Sequence, residues 1–237
     1  MELKGLLPLS LIEYPGKVVA VVHTGGCNFR CPWCYNRDLV LKPKLLPSIS
    51  ERNVLNFLSS RKKWLDGLAI TGGEPTIHAE LPKFIKKVKK LGFSVALETN
   101  GSNPEMLERL IEKKLVDYVA LDIKAPLTWE KYKRVTNIKN RATFEKILKS
   151  IELLKRRKVD YEFRTTFVPK LMTGNYIAAI AKQLKGAKLY ALQQFIPRTT
   201  VDKRFERAKP YKQEVLEKLG KEIRGMFQSF ELRNVSS

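Results

Sequence analysis

All three cysteines of this 237-residue chain, Cys27, Cys31 and Cys34, fall within eight positions of one stretch, GGCNFRCPWCYNRD. Thiolates are soft ligands suited to zinc and to iron-sulfur clusters. The C-x3-C-x2-C spacing, with Gly25, Gly26, Asn28 and Pro32 between and before the thiols, predicts a short loop folded around one inorganic centre. Three thiolates on a 4Fe-4S cube leave one iron without a protein ligand, and an open metal position is what catalysis requires. A structural zinc ion is the alternative, with His23 as its fourth ligand. That histidine lies inside an apolar run, however, and the spacing differs from the paired C-x2-C of zinc ribbons.

Other residues with chemical potential sit at the ends of apolar runs. They are Gly72-Gly73-Glu74-Pro75 after GLAIT, Glu98-Thr99-Asn100 at the end of FSVALETN, Asp122 and Lys124 in DYVALDIK, Arg164 and Thr166 in YEFRTTFV, and the pair Gln193-Gln194 in KLYALQQF. Runs of that length predict strands over 17–24, 67–71, 93–99, 117–124, 161–168 and 188–195. Amphipathic stretches between and after them predict helices over 50–63, with Ser50 as N-cap, 80–91, 104–114, with Pro104 in the first turn, 143–158, 174–185 and 211–227. Six β-α units in series imply parallel strands with right-handed crossovers. An open doubly wound sheet and an incomplete barrel both satisfy that count. Polar residues recurring inside or at the carboxyl ends of successive strands favour the α/β partial barrel of six units, a partial (β/α)6 TIM-like barrel, because a barrel gathers those ends on one rim.

A single domain over 1–237 is expected, with a turn-rich lead-in over 1–16, a β/α core over 17–195, and a basic segment plus C-terminal helix over 196–237. The segment IPRTTVDKRFERAKP lies between the last strand and the last helix, where it could meet a partner on the rim. There is no apolar run long enough to span a membrane, and Pro8 and Glu13 interrupt the stretch where a signal peptide would need continuous apolar residues. A cytoplasmic location without membrane attachment is therefore expected, where clustered cysteines serve metals or catalysis rather than disulfides. The formal charge of +21 would attract nucleic acid or another polyanion. Lysines spread along amphipathic helices are equally the mark of a heat-adapted surface.

The cysteine triplet resembles the signature of the radical S-adenosylmethionine (radical SAM) superfamily, in which the open iron is chelated by the amino and carboxylate groups of S-adenosylmethionine. Trp33 holds the aromatic position before the third cysteine, where local backbone recognises adenine. Gly72-Gly73-Glu74 resembles the family motif that receives the methionyl ammonium. The resemblance extends over most of the chain, and its finer marks are CYNRD, LETNG (97–101), LDIK (121–124), RTTFVP (164–169) and the lead-in SLIEYPGK. These are similar to the glycyl-radical-enzyme activases, and in particular to the branch of the anaerobic ribonucleoside-triphosphate reductase and pyruvate formate-lyase activating enzymes.

The resemblance implies a 4Fe-4S cluster on Cys27, Cys31 and Cys34, and S-adenosylmethionine held by Trp33, Gly72, Gly73, Glu74, Thr99, Asn100, Asp122, Lys124, Arg164, Thr166 and Gln194. Asp122 and Lys124 match a D-x-K motif, Arg164 would meet the cofactor carboxylate, and Thr166 would lie near the nucleoside. A monovalent cation site would need Glu98, Thr99 and Asp122; the family's aspartate and methionine are here Glu98 and Ala120. The family histidine is replaced by Gln193 and Gln194, of which alternation allows only one to face inward. The reaction implied is one-electron cleavage of S-adenosylmethionine to a 5′-deoxyadenosyl radical that abstracts hydrogen from a glycine of a partner glycyl radical enzyme. A ferredoxin or flavodoxin would donate the electron. No acid-base pair is needed, in keeping with only two histidines, His23 and His78, the latter expected in a loop. Two alternatives stay open: a radical enzyme acting on RNA or a nucleotide, and a zinc- or cluster-stabilised nucleic-acid-binding module. A deazapurine synthase fits less well, because Tyr35 and Asn36 follow Cys34 where that group carries a magnesium-binding threonine two positions on.

Overall fold

The computed structural model describes residues 1–156 and 159–235. One eight-stranded sheet runs in sequence order through β1 (Leu3–Ser10), β2 (Val19–Thr24), β3 (Gly67–Gly72), β4 (Ser94–Thr99), β5 (Tyr118–Asp122), β6 (Asp160–Phe167), β7 (Leu189–Gln194) and β8 (Ser229–Arg233). Neighbours from β2 to β8 are parallel, and β1 joins β2 antiparallel. The helices are α1 (Arg37–Leu41), α2 (Glu51–Ser60), α3 (Leu81–Lys90), α4 (Pro104–Glu112), α5 (Trp129–Thr136), α6 (Arg141–Arg156), α7 (Gly174–Gln183) and α8 (Gln213–Ile223).

The six expected strands are β2 to β7, each within two residues of its expected ends. Their alternation sorts the core into two layers. Ala20, Val22, Leu68, Ile70, Val95, Leu97, Val119 and Leu121 pack outward with the helices, whereas Val19, Val21, Ala69, Ala96, Tyr118 and Ala120 form a separate interior cluster with Tyr14. Three of those interior residues are alanines, which lets the strands curve closely around a stacked Tyr14–Tyr118 pair, centroids 5.2 Å apart. That plug fills the lower interior, and the polar strand ends lie beyond it.

The helices form where the apolar period predicts them. Ser50 caps α2 by accepting from Asn53 N, and Asn103 caps α4 ahead of Pro104. In α3 the apolar positions Leu81, Phe84, Ile85 and Val88 are buried, and lysines occupy the other face. The helix expected over 143–158 begins at Arg141; positions 157–158 lie outside the described residues. No helix among the described residues is long and apolar enough to cross a membrane.

Two expectations need correction. The lead-in is a strand over Leu3–Ser10, with the expected turns confined to 11–16, and Pro8 is accommodated because β1 is an edge strand whose register with β2 shifts between Leu7 and Ser10. The C-terminal region does not end in a helix over 211–227: α8 stops at Ile223, and β8 then adds a strand beside β7. The alternation in SFELR, Phe230 and Leu232 against Glu231 and Arg233, is a strand pattern too short to stand out before its neighbour is known. The short helices α1 and α5 were also unforeseen, each only a turn or two long.

Candidate active site

The cysteine loop leaves the carboxyl end of β2 and is held by backbone bonds from several directions. Gly25 N donates to Glu2 O (2.9 Å), Gly26 N to Leu39 O (2.8 Å), and Cys34 N to Cys31 O (3.1 Å), which closes the turn between the last two thiols. His78, from the turn after β3, is bonded through Nε2 to Gly25 O (2.9 Å), so it braces the loop. All three cysteines are free thiols and line one cavity of about 260 Å³ at the carboxyl ends of the strands. Burial pushes the Cys27 thiol up to about 11 and raises Cys31 and Cys34 as well, while the nearby Lys124 ammonium favours all three thiolates.

The Gly72-Gly73-Glu74 turn sits directly against that loop. Gly73 N donates to Thr24 O (2.9 Å) and Glu74 N to Gly26 O (2.8 Å). A side chain on Gly73 would place its Cβ 1.8 Å from Gly26 O, and Gly72, at φ +124°, would bring a Cβ within 2.3 Å of Thr24 N. The two glycines are thus required by the approach of two backbones. Glu74 is 1% exposed, and its carboxylate accepts four bonds: from Thr76 N (3.1 Å), Thr76 Oγ1 (2.6 Å), Thr99 Oγ1 (2.7 Å) and Asn100 N (2.7 Å). Burial raises its pKa and those four donors oppose the shift. Asn100 Nδ2 in turn donates to Asn28 Oδ1 (2.9 Å) in the cysteine loop. Glu74 therefore ties three strand ends together.

Parallel pairing carries the charged residues to the same rim. Asp122 is aligned with Arg164, Thr166 with Gln193, and Gln193 with Arg233. Arg164 donates to Glu98 Oε1 (2.7 Å) and Asp122 Oδ1 (3.1 Å), and Glu162 lies 3.7 Å away. Lys124 donates to Asp122 Oδ2 (3.1 Å) and stands over the Trp33 ring at 5.2 Å. Against the effect of burial, Lys124 and Arg164 hold the Asp122 carboxyl below its ordinary range, and Arg164 does the same for Glu98. Arg233 of β8 grips Glu162 with two bonds (2.9 and 2.6 Å).

Trp33, Gly72, Gly73, Glu74, Thr99, Asn100, Asp122, Lys124, Arg164, Thr166 and Gln194 all line the cavity that the cysteines line. Two details of the sequence reading change. Gln193 is the interior glutamine, paired with Thr166 and Arg233, while Gln194 turns its amide to Tyr211 O (2.6 Å). Glu98, Thr99 and Asp122 do not converge on a cation: Arg164 already stands between the two carboxylates, and Thr99, adjacent to Glu98 on one strand, faces Glu74 instead. His23 is absent from the cavity lining, so it makes no fourth ligand beside the thiols.

Sequence reasoning missed Glu13, Thr71, Glu162, Arg233 and Asn234. Glu13, Thr71 and Asn234 line the cavity, and Glu162 and Arg233 buttress Arg164. Glu13 belongs to the quoted SLIEYPGK motif, which was a signal in plain sight; burial and the neighbouring Glu98 push its carboxyl up to about 7.

The donor set fits a thiolate-held cluster with a bound organic cofactor. Three thiols share one cavity, the Trp33 indole Nε1–H on its wall is buried without a partner, and both signs of charge stand on the rim for an amino acid headgroup. A partial barrel with this site is the architecture of an enzyme that anchors a reactive small molecule at strand ends. The family described as the Radical SAM superfamily matches residues 21–184, and the chain belongs to it. It is an oxidoreductase-type enzyme whose cofactors are a 4Fe-4S cluster and S-adenosylmethionine.

Over 98% of its length the chain is 38% identical to the Methanocaldococcus jannaschii protein "Putative glycyl-radical enzyme activating enzyme MJ1227", covering 95% of that protein. It is 41% identical, over 34% of its length and 35% of the relative's, to 7-carboxy-7-deazaguanine synthase of Aquifex aeolicus. The fold is shared with Streptococcus suis SuiB bound to its precursor peptide SuiA, at a TM-score of 0.69 and 12% identity over 90% of this chain and 48% of that one.

Proposed function

We propose that this chain, acting as a single radical SAM domain, installs a glycyl radical on a partner enzyme of the anaerobic ribonucleoside-triphosphate reductase type. The observation that carries this reading is the end-to-end similarity to a protein named as a glycyl-radical enzyme activating enzyme; the likeness to deazaguanine synthases spans 34 to 46% of the chain. The open rim of a partial barrel suits a protein loop as substrate.

In this reading Cys27, Cys31 and Cys34 hold the cluster. With S-adenosylmethionine bound beside it, such a cluster would supply the one-electron cleavage that generates a hydrogen-abstracting 5′-deoxyadenosyl radical. The residues of the chain orient and exclude. Arg164 takes the cofactor carboxylate, sharing its guanidinium with Glu98 and Asp122. Glu74 is saturated by Thr76, Thr99 and Asn100, so it acts by fixing the turn whose backbone receives the ammonium. Trp33 offers its indole N–H and its loop backbone, Thr166 on the same cavity wall would lie near the nucleoside, and Lys124 balances the charge of Asp122. No side chain is asked to move a proton. The task is geometric: to keep the radical carbon facing one C–H bond and away from other donors.

Two measurements test the proposal. Anaerobic reconstitution with iron and sulfide, then reductant and S-adenosylmethionine, should yield 5′-deoxyadenosine. Addition of an anaerobic reductase should then give a glycyl doublet by electron paramagnetic resonance. Deoxyadenosine formation without a doublet on any such reductase, together with tight, salt-sensitive RNA binding, would move the target to nucleic acid.

A further inference from the structure

Among the segments hydrogen-bonded to the cysteine-loop backbone, two are strongly basic. On one side Val201 N donates to Cys34 O (3.1 Å) and Asp202 N to Pro32 O (2.8 Å), which fastens residues 196–212 along the loop. On the other side Arg30 N donates to Thr136 O (3.3 Å), at the carboxyl end of α5. Residues 196–212 carry six Lys or Arg against two acidic residues, and residues 129–141 carry five against one. The ratio is about twice that of the whole chain, 45 to 24. Arg198, Lys203, Arg207 and Lys209 on one flank, and Lys133, Arg134 and Lys139 on the other, are exposed. The acidic residues of the first flank are engaged locally, Asp202 by Arg204 (2.6 Å) and Glu206 by Thr200 N (3.2 Å), and with six cations against two acids the flank keeps a net charge of +4.

The radical SAM reaction draws one electron from outside the chain for each cleavage of S-adenosylmethionine, and the electron must reach the cluster that these thiols hold. We propose that the basic collar around the cysteine loop is the docking surface for a small acidic electron-transfer protein. In the docked pair one electron passes to the cluster; the carrier is oxidised by one electron, no bond forms or breaks, and no proton moves. An RNA would also be drawn to positive charge, but the arrangement favours the carrier. The cations of the collar stand on two segments separated by more than fifty residues in sequence, each tied by backbone hydrogen bonds to the loop that holds the thiols. Complementary charge of this kind speeds encounter and fixes orientation, which is what a transient electron donor needs.

The inference rests on the radical SAM assignment and is independent of the substrate. The test uses the reconstituted full-length holoenzyme, with flavodoxin as the acidic probe. The collar variants Lys203→Glu with Arg207→Glu, and Arg134→Glu with Lys139→Glu, are compared with Lys62→Glu and Lys86→Glu, an equal charge change at exposed positions away from the loop. Both collar variants should bind reduced flavodoxin at least tenfold more weakly and reduce their cluster, followed by its visible absorbance, correspondingly more slowly. The difference should shrink as salt is raised, and the control should match the native protein. Dithionite-driven cleavage of S-adenosylmethionine should be the same in all four proteins, so a loss seen only with flavodoxin belongs to docking. Native-like flavodoxin binding and reduction in the collar variants would overturn the proposal, as would a loss confined to RNA affinity. A protein that docks flavodoxin at the collar yet makes no glycyl radical would overturn the target reading and leave this one standing.

Discussion

Replacing Glu74 with glutamine should destabilise the protein even with no cofactor present, by about 3–5 kcal/mol. The carboxylate accepts three bonds on Oε1, from Thr76 N, Thr76 Oγ1 and Thr99 Oγ1, and one on Oε2, from Asn100 N. A glutamine side chain has one oxygen and one NH2, so its better placement keeps the oxygen toward the three donors and sets NH2 against Asn100 N–H. That loses one charge-assisted bond, about 1.5–3 kcal/mol, and leaves a buried donor pair unsatisfied, about 1–3 kcal/mol more. Weaker bonding by a neutral oxygen to the other three donors is offset in part by no longer burying a charge. At roughly 2–4 °C per kcal/mol for a chain of this size, the melting temperature of apo-protein should fall by about 10 °C. Differential scanning calorimetry of native and Glu74→Gln protein, both without iron or S-adenosylmethionine, measures it directly. A fall of under about 2 °C would refute the reasoning, because Glu74 would then act on the ligand and not on the chain.

Gly73→Ala should push the turn off Gly26 O, costing about 1–3 kcal/mol as overpacking, and should leave the reconstituted protein short of iron in a colorimetric assay. Arg233→Met removes both bonds that the 2%-exposed Glu162 carboxylate accepts from it, leaving Arg164 at 3.7 Å as its cation, and should cost about 3 kcal/mol by urea unfolding, with much of the loss restored when Glu162→Gln is added. Glu13 has its folded pKa raised to about 7 from an ordinary value of 4.5, so the folded state holds a proton that the unfolded chain has released between those values. Native stability should therefore fall as pH rises through that window, and Glu13→Gln should lose this component of the pH dependence; equal slopes of melting temperature against pH would count against it.

The sequence carried the local facts. Alternating apolar runs marked six strands because a side chain period of two can bury one face at a time, and Ser50 and Pro104 marked helix starts because unsatisfied N–H groups need such residues there. Three cysteines in a short loop marked a metal centre by thiolate chemistry, and the resemblance of that loop and of the Gly-Gly-Glu turn one unit later to a known family implied the cofactor. The two edge strands were hidden. Pro8 argues against a strand until it is known to lie on an edge, and SFELR is too short to declare itself without β7 beside it.

What only the tertiary structure decided is how distant charges are shared. Arg164 stands between Glu98 and Asp122 because parallel register aligns three strands that are far apart in sequence, and that placement, not composition, removes the expected cation site. The same register gives the interior position to Gln193 and brings Arg233 from the last strand onto Glu162, while the bend after β1 carries Glu13 to the cavity wall. Spacing fixes what a local segment can bind; which opposite charge lies across the barrel depends on pairing between strands, and no single segment encodes that.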